Sequence, residues 1–339
     1  MRIRNVMSKF CIGAAAVFLL FVVTGYGVAA PKKGEVSVSQ SREKYPAKPV
    51  RFVITHKPGG ANDKPIRLIQ PYLDKALGVP VILENMDGAG GNIARAYVQK
   101  QAPDGYTFLI SQQPSLSSGA YSSGGQYEPL KFVPVFNIAG KSYMGVAVPY
   151  SSPYKTVKEL VEASKKTPLT LSGAGVGAGS FITYVLLQKA GAKLQYVPFN
   201  SAPEAVMALA GKQVDIGVTN YEFFLPLQAQ QKVRLIGVTG PARGEFAPEV
   251  QTLTEQGVPG IEVDQIVGAF APPGFPKDKL NIMAAAFAKA SQDEAFKKSA
   301  QQAKTTLHPL GPEEYKKEFL KLHQIIEDIA PLLKEASKN

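Results

Sequence analysis

The residues best suited to bind a small molecule lie in a glycine-rich segment near the start of the chain, HKPGGAND at 56–63. It follows a β-branched run at 50–55 and precedes a pattern of helical spacing. In an open α/β sheet, ligands bind beyond the carboxyl ends of the strands. Paired glycines let the backbone approach a ligand, and free N–H groups at a helix start favour an anion. An ordinary tight turn is the alternative that the spacing leaves open.

Two further glycine-rich segments open predicted helices. GAGGN at 88–92 fits either backbone contact with an anion or a structural helix start. SGAGVGAGS at 172–180 formally satisfies the G-x-G-x-x-A dinucleotide pattern. A dinucleotide site would want an acid closing the next strand, where Phe199 and Asn200 stand instead. We therefore interpret this segment as an anion cradle, with Ser180 as a hydroxyl donor at the helix start.

The sequence contains few residue arrangements that are typical of enzyme active sites. The three histidines, His56, His308 and His323, are far apart and show no metal-ligand spacing. No G-x-S-x-G elbow occurs, and no pair of acids stands out as a catalytic pair. The sequence thus predicts no catalytic residue, no metal site and no cofactor. His56 is the one histidine beside a candidate site, and His323 is predicted at the surface or boundary of the last helix.

The elements that position these segments follow a βαβ rhythm. Short β-branched runs alternate with helical stretches, which predicts a mostly parallel sheet with helices on both faces. Pro71 is expected to kink the first helix. Thr156, with Glu159 three residues on, forms a predicted capping box. The predicted strands are 50–55, 79–83, 106–110, 143–148, 169–172, 194–199, 214–219, 235–239 and 267–271.

The end of the chain reads as a long amphipathic helix. Its apolar residues recur at steps of three and four, which favours core packing over a partner interface. Pro331 is expected to kink or shorten its end. Between 111 and 134 the pattern is unclear, because Ser, Gly and Pro dominate.

The first thirty residues are typical of an export signal. Three basic residues precede the apolar run 11–23, and Val28 and Ala30 fit a cleavage site. An uncleaved anchor is the rival interpretation, but the run is short of the ~20 residues that a spanning helix needs. Cleavage would remove Cys11, the only cysteine, and so exclude disulfides and thiolate sites. Residues 31–45 are predicted to be a flexible leader.

Length and charge narrow the function further. A chain of 339 residues with 45% hydrophobic residues is expected to form two lobes around sizeable cores. The formal net charge of +11 falls to +8 without the three basic residues of the signal. Because the basic residues are scattered, we predict no nucleic-acid partner and interpret the charge as a surface that attracts anions.

Several short stretches, in order along the chain, carry a resemblance to a known family. The ordered set resembles the substrate-binding proteins of tripartite tricarboxylate transporters, also called Bug receptors. The matching stretches are YPAKPV at 45–50, PGG at 58–60 with Asp63, LGVPV at 77–81, EN at 84–85, GAGGNI at 88–93, APDGYT at 102–107, VPF at 197–199 and GKQVD at 211–215.

The resemblance implies an α/β architecture, the type II periplasmic-binding-protein fold, with two α/β lobes and a hinged central cleft. Lobe 1 would comprise residues 46–143 and 242–339, and lobe 2 residues 144–241. A ligand carboxylate would be held by backbone N–H groups and waters from one loop of each lobe. The implied ligand-binding residues are Gly59, Gly60, Ala61, Asn62, Asp63, Ser111, Gln112, Gly175, Gly177, Ala178, Ser180, Asn200 and Ser201.

The implied protein is a monomeric periplasmic receptor that delivers a small organic carboxylate to membrane permease subunits. A receptor feeding a sensor kinase and a secreted enzyme acting on a carboxylate are the alternatives. Three pairs depart from the family pattern: Met86-Asp87 replaces Arg-Pro, Asn200-Ser201 replaces a basic residue and Gly, and His56-Lys57 replaces an aromatic-small pair. These departures favour a ligand other than the usual citrate-like or amino-dicarboxylate compounds.

Overall fold

The computed structural model describes residues 45–122, 125–258, 262 and 264–338, where eleven strands form two sheets. The predicted signal at 1–30 and all but the last residue of the predicted leader lie outside the described residues. That last residue, Tyr45, packs edge-on against Tyr106, and its hydroxyl donates to the Gly105 carbonyl at 2.7 Å.

The first sheet has six strands in the order β11-β4-β10-β3-β1-β2. Strands β1, β2 and β3 run parallel, whereas β10 is antiparallel to both β3 and β4, and β11 is antiparallel to β4. Their bounds are β1 Val50–Thr55, β2 Val81–Met86, β3 Thr107–Gln113, β4 Val133–Ala139, β10 Ile266–Ala271 and β11 Leu307–Leu310.

The second sheet has five strands in the order β7-β6-β8-β5-β9. Strands β6, β7 and β8 run parallel, and β5 is antiparallel to β8 and β9. The chain enters this sheet after β4 and returns to the first sheet at β10. The bounds are β5 Met144–Pro149, β6 Leu169–Gly173, β7 Leu194–Pro198, β8 Ile216–Asn220 and β9 Val233–Val238.

Helices cover both faces of each sheet. They are α1 Asp63–Leu77, α2 Asn92–Gln99, α3 Ser115–Ser122, α4 Val157–Ser164, α5 Gly179–Lys189, α6 Ala202–Ala210, α7 Leu225–Ala229, α8 Lys277–Ser291, α9 Glu294–Gln302, α10 Pro312–Asp328 and α11 Ala330–Ala336. Short 3-10 turns lie at Ala89–Gly91, Pro129–Lys131 and Tyr221–Phe223. Among the described residues, no helix is both long and apolar enough to cross a membrane.

Four apolar clusters fill the layers between helices and sheets. Phe52 and Phe287 centre the layer that α1 and α8 close on the first sheet, and Phe270 centres the layer under α10 on the opposite face. Phe181 of α5 and Phe224 mark the two corresponding layers of the second sheet. Burial of these aromatic side chains, each worth roughly 2–3 kcal/mol, makes each lobe a packed scaffold for the loops above it.

The two-sheet α/β architecture agrees with the predicted fold class, but several local predictions differ from the structure. Antiparallel pairing of β5, β10 and β11 makes the sheets less parallel than the βαβ rhythm indicated. The helix α1 continues through Pro71 as one element from Asp63 to Leu77. The expected break near Pro331 is present: α10 ends at Asp328 and α11 begins at Ala330.

Two segments pack differently from the predicted division into lobes. Val250 and Leu253 lie in the apolar layers of the second sheet, and Val238 bridges to Thr252. Leu333 of α11 packs into the same sheet's layer with α5. Residues 242–258, assigned to lobe 1 from the sequence, therefore bury their apolar side chains against lobe 2, whereas α11 packs against both α3 of lobe 1 and α5 of lobe 2. The turn-rich segments carry no local signal for this.

Candidate functional site

The candidate site lies at the carboxyl ends of strands from both sheets. Thr55 ends β1, Gln113 ends β3, Gly173 ends β6 and Asn220 ends β8. The loops that leave these ends face one another across the cleft, which is where a ligand is expected in open α/β sheets.

A cavity with about 410 Å³ of space, part of it open to solvent, occupies this cleft. Seven of the predicted ligand residues line it: Gly60, Ala61, Asn62, Gln112, Ala178, Ser180 and Ser201. The sequence did not single out six others as ligand residues: Met144, Ala174, Gly179, Ala202, Thr219 and Asn220.

Three helices begin at the wall of this cavity. The N-cap residues of α1 and α5, Asn62 and Ala178, make no capping hydrogen bond through their side chains. Ser201 caps α6 by accepting from the Glu204 N–H at 3.4 Å. The first N–H groups of a helix have no intrahelical acceptor, and its macrodipole adds partial positive charge there. At α1, however, the Asp63 and Lys64 N–H groups donate to the Gly60 carbonyl. Pro65 of α1 and Pro203 of α6 have no N–H. The first N–H groups of α5, with the partial positive charge of all three helix ends, therefore make the cavity attractive to a carboxylate.

His56 forms part of the same wall and is held in one orientation. Its backbone adopts φ 73°, in the left-handed region, and Asn62 Nδ2 lies 3.2 Å from its Nδ1. Burial, followed by the charge of Arg95, lowers the pKa of His56 to about 4, so the imidazole is neutral at pH 7. In the tautomer in which Nδ1 accepts from Asn62 Nδ2, Nε2 carries the proton and is a donor.

Several buried polar atoms at the cavity have no protein partner within the described part of the chain. They are His56 Nε2, Asn62 Oδ1 and Gln112 Nε2, all on residues that line the cavity. Buried polar atoms are hydrogen-bonded in the great majority of cases, so each exception calls for an explanation. Two of these three are donors, which matches an acceptor-rich ligand.

Two of the glycine-rich segments contact each other across the cleft. A Cβ on Gly90 would lie 2.3 Å from the Val176 carbonyl oxygen, and one on Gly175 would lie 3.3 Å from Gly90 Cα. A Cβ on Gly177 would lie 2.9 Å from Gly119 Cα. These glycines therefore permit the backbones of the two lobes to touch.

A polar contact between the lobes accompanies the glycine contact. Lys57 Nζ lies 2.8 Å from Glu204 Oε1, which ties the first glycine-rich loop to α6. This pair is exposed, so it adds little to stability.

An outer cavity of about 640 Å³ lies between the contacting loops and β7. Two predicted ligand residues, Gly175 and Asn200, line this outer cavity rather than the inner one. His56 and Ala174 line both cavities and so separate them.

Four predicted ligand residues line neither cavity. Gly177 lies at the contact between the lobes, and Ser111 is fully buried, where its Oγ accepts from Arg95 Nε at 3.3 Å. Gly59 donates its N–H to Asp63 Oδ2 at 2.8 Å. The Asp63 carboxylate also accepts from Arg67 Nε at 2.7 Å and from Asn85 Nδ2 at 2.9 Å.

Those bonds give Asp63 a structural role. Burial alone would raise the pKa of its carboxyl, but the hydrogen bonds from Arg67, Gly59 and Asn85 hold that pKa below its usual range. The ionised carboxylate locks the loop 56–62 onto the start of α1.

A third cavity of about 400 Å³ adjoins the inner one and shares Ala61 and Asn220 with it. Glu222 lines it and accepts from Ser142 Oγ at 3.0 Å. Burial raises the pKa of this carboxyl to about 7.

The remaining histidine prediction is wrong. His323 is 5% exposed, and its Nδ1 lies 2.8 Å from Ser117 Oγ. It is buried because α3, which the sequence pattern did not indicate, covers this face of α10. Among the described residues, no group of three or more His, Cys, Asp or Glu side chains could hold a metal ion.

Comparison with known proteins shows which family this chain belongs to. Residues 66–329 match the model of the tripartite tricarboxylate transporter family receptor. The chain belongs to this family. A UPF0065 protein in the gbd 5′ region of Cupriavidus necator is 32% identical over 261 residues, which cover 76% of this chain and 79% of the relative.

Solved structures of similar proteins agree with this membership. The periplasmic binding protein BugD is 28% identical, with a TM-score of 0.76 over 86% of this chain and 98% of BugD. MatC from Rhodopseudomonas palustris, with bound malate, is 26% identical, with a TM-score of 0.76 over 86% of this chain and 100% of MatC. The family and its structural neighbours are periplasmic solute-binding receptors.

Proposed function

We propose that this chain captures a small organic carboxylate between its two lobes and delivers it to the permease subunits of a tripartite tricarboxylate-type secondary transporter. The chain would act as a monomeric periplasmic receptor, exported by a signal at 1–30, and would not be an enzyme. The observation that carries the proposal is the inner cavity, where three helix N-termini meet the unpartnered donors His56 Nε2 and Gln112 Nε2.

The chemistry of this cavity fits a carboxylate better than a cation or a neutral sugar. Its lining residues carry no acidic side chain, and helix N-termini repel cations. The backbone N–H groups at the start of α5 and the two side-chain donors can satisfy several lone pairs of an oxyanion. MatC, a member of the same fold at 26% identity, binds the dicarboxylate malate.

We propose that the ligand closes the cleft. A ligand shifts a conformational equilibrium by its differential affinity for the two states, and one that bridges the starts of α1 and α5 touches both lobes. In the closed state, the contact at Gly90 and the Lys57–Glu204 pair form. Of the ligand residues proposed from the sequence, those that line the inner cavity would contact the ligand. Asp63 and Ser111 would instead hold the residues around the cavity in place through their hydrogen bonds.

A thermal-shift screen over mono-, di- and tricarboxylates tests the proposal. A ligand at one hundred times its dissociation constant stabilises the fold by about 2.7 kcal/mol. For a chain of this size that corresponds to a rise in Tm of roughly 4 °C. If no carboxylate raises the Tm of the wild-type protein, the proposal is wrong. Product formed during a long incubation with a stabilising carboxylate would favour an enzyme.

A pair of glutamine variants locates the site. Gln112→Leu removes a cavity donor at similar volume and should weaken binding of the stabilising carboxylate by about tenfold. Gln195→Leu, on the exposed face of β7, is the matched control and should bind as the wild type does. Equal affinity of the two variants would place the ligand elsewhere.

A further inference from the structure

Among the residues that the structure describes, no carboxylate pairs with the buried guanidinium of Arg95 in α2. Its side chain is fully buried, and its hydrogen bonds reach only neutral acceptors: the Gly90 carbonyl at 3.1 Å, Asn92 Oδ1 at 2.9 Å, Ser111 Oγ at 3.3 Å and Tyr127 Oη at 3.5 Å. Its Nη2 has no partner among the described residues.

Such an arrangement is unfavourable unless something else supplies the opposite charge. A guanidinium stays protonated in proteins, and a buried charge is tolerated when it is paired. Other basic side chains at the cleft have their counter-charge: Lys57 pairs with Glu204, and Arg67 pairs with Asp63. Arg95 therefore contributes an uncompensated positive charge to this region.

This charge lies directly behind the wall of the inner cavity. A Cβ on Gly91 would lie 3.1 Å from His56 Cε1 and 3.2 Å from Arg95 Nη2, so both groups flank the same point. His56 in turn lines the cavity, and its Nε2 has no partner among the described residues. Gln112 also lines the cavity, but its side chain and that of Ser111, which accepts from Arg95, point to opposite faces of β3. The side of the cavity that Arg95 backs thus holds the unpartnered His56 Nε2 in front of a fixed charge.

We infer that Arg95 is a specificity-determining residue that makes this cleft select a dianion, a small dicarboxylate, over a monocarboxylate. One carboxylate is held at the start of α5, between the N-terminal ends of α1 and α6, and the second lies against His56 in the field of Arg95. The inference rests on the proposed function, because it names the charge of the ligand that the same cavity binds.

The test compares matched acids on matched variants. Malate and lactate share a 2-hydroxy acid head and differ by one carboxylate, so their affinities are measured by titration calorimetry on wild type, Arg95→Gln, Arg95→Lys and Arg51→Gln. If another diacid stabilises the wild type more strongly in the thermal-shift screen, that diacid and its monoacid analogue replace this pair. Arg51 is the control, since it lies in the same lobe but pairs with Glu84 at 3.0 Å.

The wild type should bind the diacid about 10- to 100-fold more tightly than the monoacid, the range expected for one nearby charge at an intermediate dielectric. Arg95→Gln should lose most of this preference, Arg95→Lys should restore part of it, and Arg51→Gln should keep it. Equal wild-type affinity for the two acids would overturn the inference, and this measurement needs no variant to fold.

Two variant results would also overturn it. An Arg95→Gln protein that keeps the preference would show that the charge is irrelevant. An equal loss for both acids, with no rescue by lysine, would show that Arg95 only supports the loop. A wild type that binds no carboxylate would instead refute the proposed function, and the inference with it.

Discussion

Substitution of Gly90 by alanine should weaken ligand binding without touching the inner cavity. The added Cβ would lie 2.3 Å from the Val176 carbonyl oxygen, about 1 Å closer than a carbon and an oxygen tolerate. Because the neighbour is backbone, the loops of the two lobes must move apart. Overpacking of this kind costs about 1–3 kcal/mol, which would fall on the closed state and lower affinity by about 5- to 150-fold.

Backbone strain must be separated from this effect. Gly90 has φ 62°, so the left-handed conformation of an alanine there also costs about 1 kcal/mol, in open and closed states alike. Gly78, at the end of α1, has φ 72°, and a Cβ there would have nothing within 4 Å of it. Gly78→Ala is therefore a control with the same strain and no clash.

The assay is calorimetric titration of both variants with the carboxylate that most stabilises the wild type. Both variants should lose a similar amount of ligand-free stability, measured by thermal unfolding, and only Gly90→Ala should lose affinity. Small-angle scattering with saturating ligand should show a larger radius of gyration for Gly90→Ala than for Gly78→Ala. Affinities that agree within twofold would refute the view that this glycine contact forms on closure.

Three further predictions concern stability. Burial lowers the pKa of His56 to about 4, so the neutral side chain stabilises the fold fully above pH 6.5, and this stabilisation is lost as the pH falls towards 4. Between pH 7.5 and pH 4.5, the free energy of unfolding in urea should therefore fall by about 2–3 kcal/mol more for wild type than for His56→Gln. Equal losses in the two proteins would contradict this. Burial raises the pKa of Glu222 to about 7, so the protonated side chain stabilises the fold at low pH, and this stabilisation is lost as the pH rises from 4.5 to 7. Glu222→Gln should therefore be about 3 kcal/mol more stable than wild type at pH 8 and as stable as wild type at pH 4. An unchanged Tm at pH 8 would refute this. Thr156→Ala removes the acceptor of the Glu159 N–H and should cost about 1 kcal/mol in chemical unfolding, whereas the exposed Thr167→Ala should cost little.

Local sequence signals predicted the elements in which a single short stretch carries the information. The β-branched run Val50–Thr55 is the first strand at the predicted bounds, and the Thr156–Glu159 capping box is present with both of its hydrogen bonds. In these places propensity and capping act within a few residues, so no tertiary knowledge is needed.

The helix α3 was missed because its stability comes from packing. Its sequence, SLSSGAYS, has few apolar residues and an interior glycine, which predict a loop. In the structure, Gly119 lies where a Cβ would come 2.7 Å from Arg95 Nη1 and from Tyr127 Oη. That glycine lets the helix lie directly on the buried polar group, an arrangement that no pattern in the segment itself encodes.

The site was partly predictable for a related reason. Strand ends identify the loops, so Ala61, Asn62 and Ser180 were expected at the cavity that they line. The same rule applied to β8 would have found Asn220. Arg95 could not be found in this way, since an arginine on a short amphipathic helix is exposed far more often than buried.

The unpartnered atoms indicate how binding and closure are coupled under the proposed function. When the lobes meet at Gly90, they enclose the polar atoms of His56, Asn62 and Gln112 without giving them partners. Closure without ligand therefore leaves two donors, on His56 and Gln112, and one acceptor, Asn62 Oδ1, unsatisfied at about 1–3 kcal/mol each, while an open cleft leaves them to water. A ligand that satisfies these donors removes that cost only in the closed state. The same atoms thus disfavour empty closure and favour ligand-bound closure, which is the differential affinity that a receptor needs to signal occupancy to its permease.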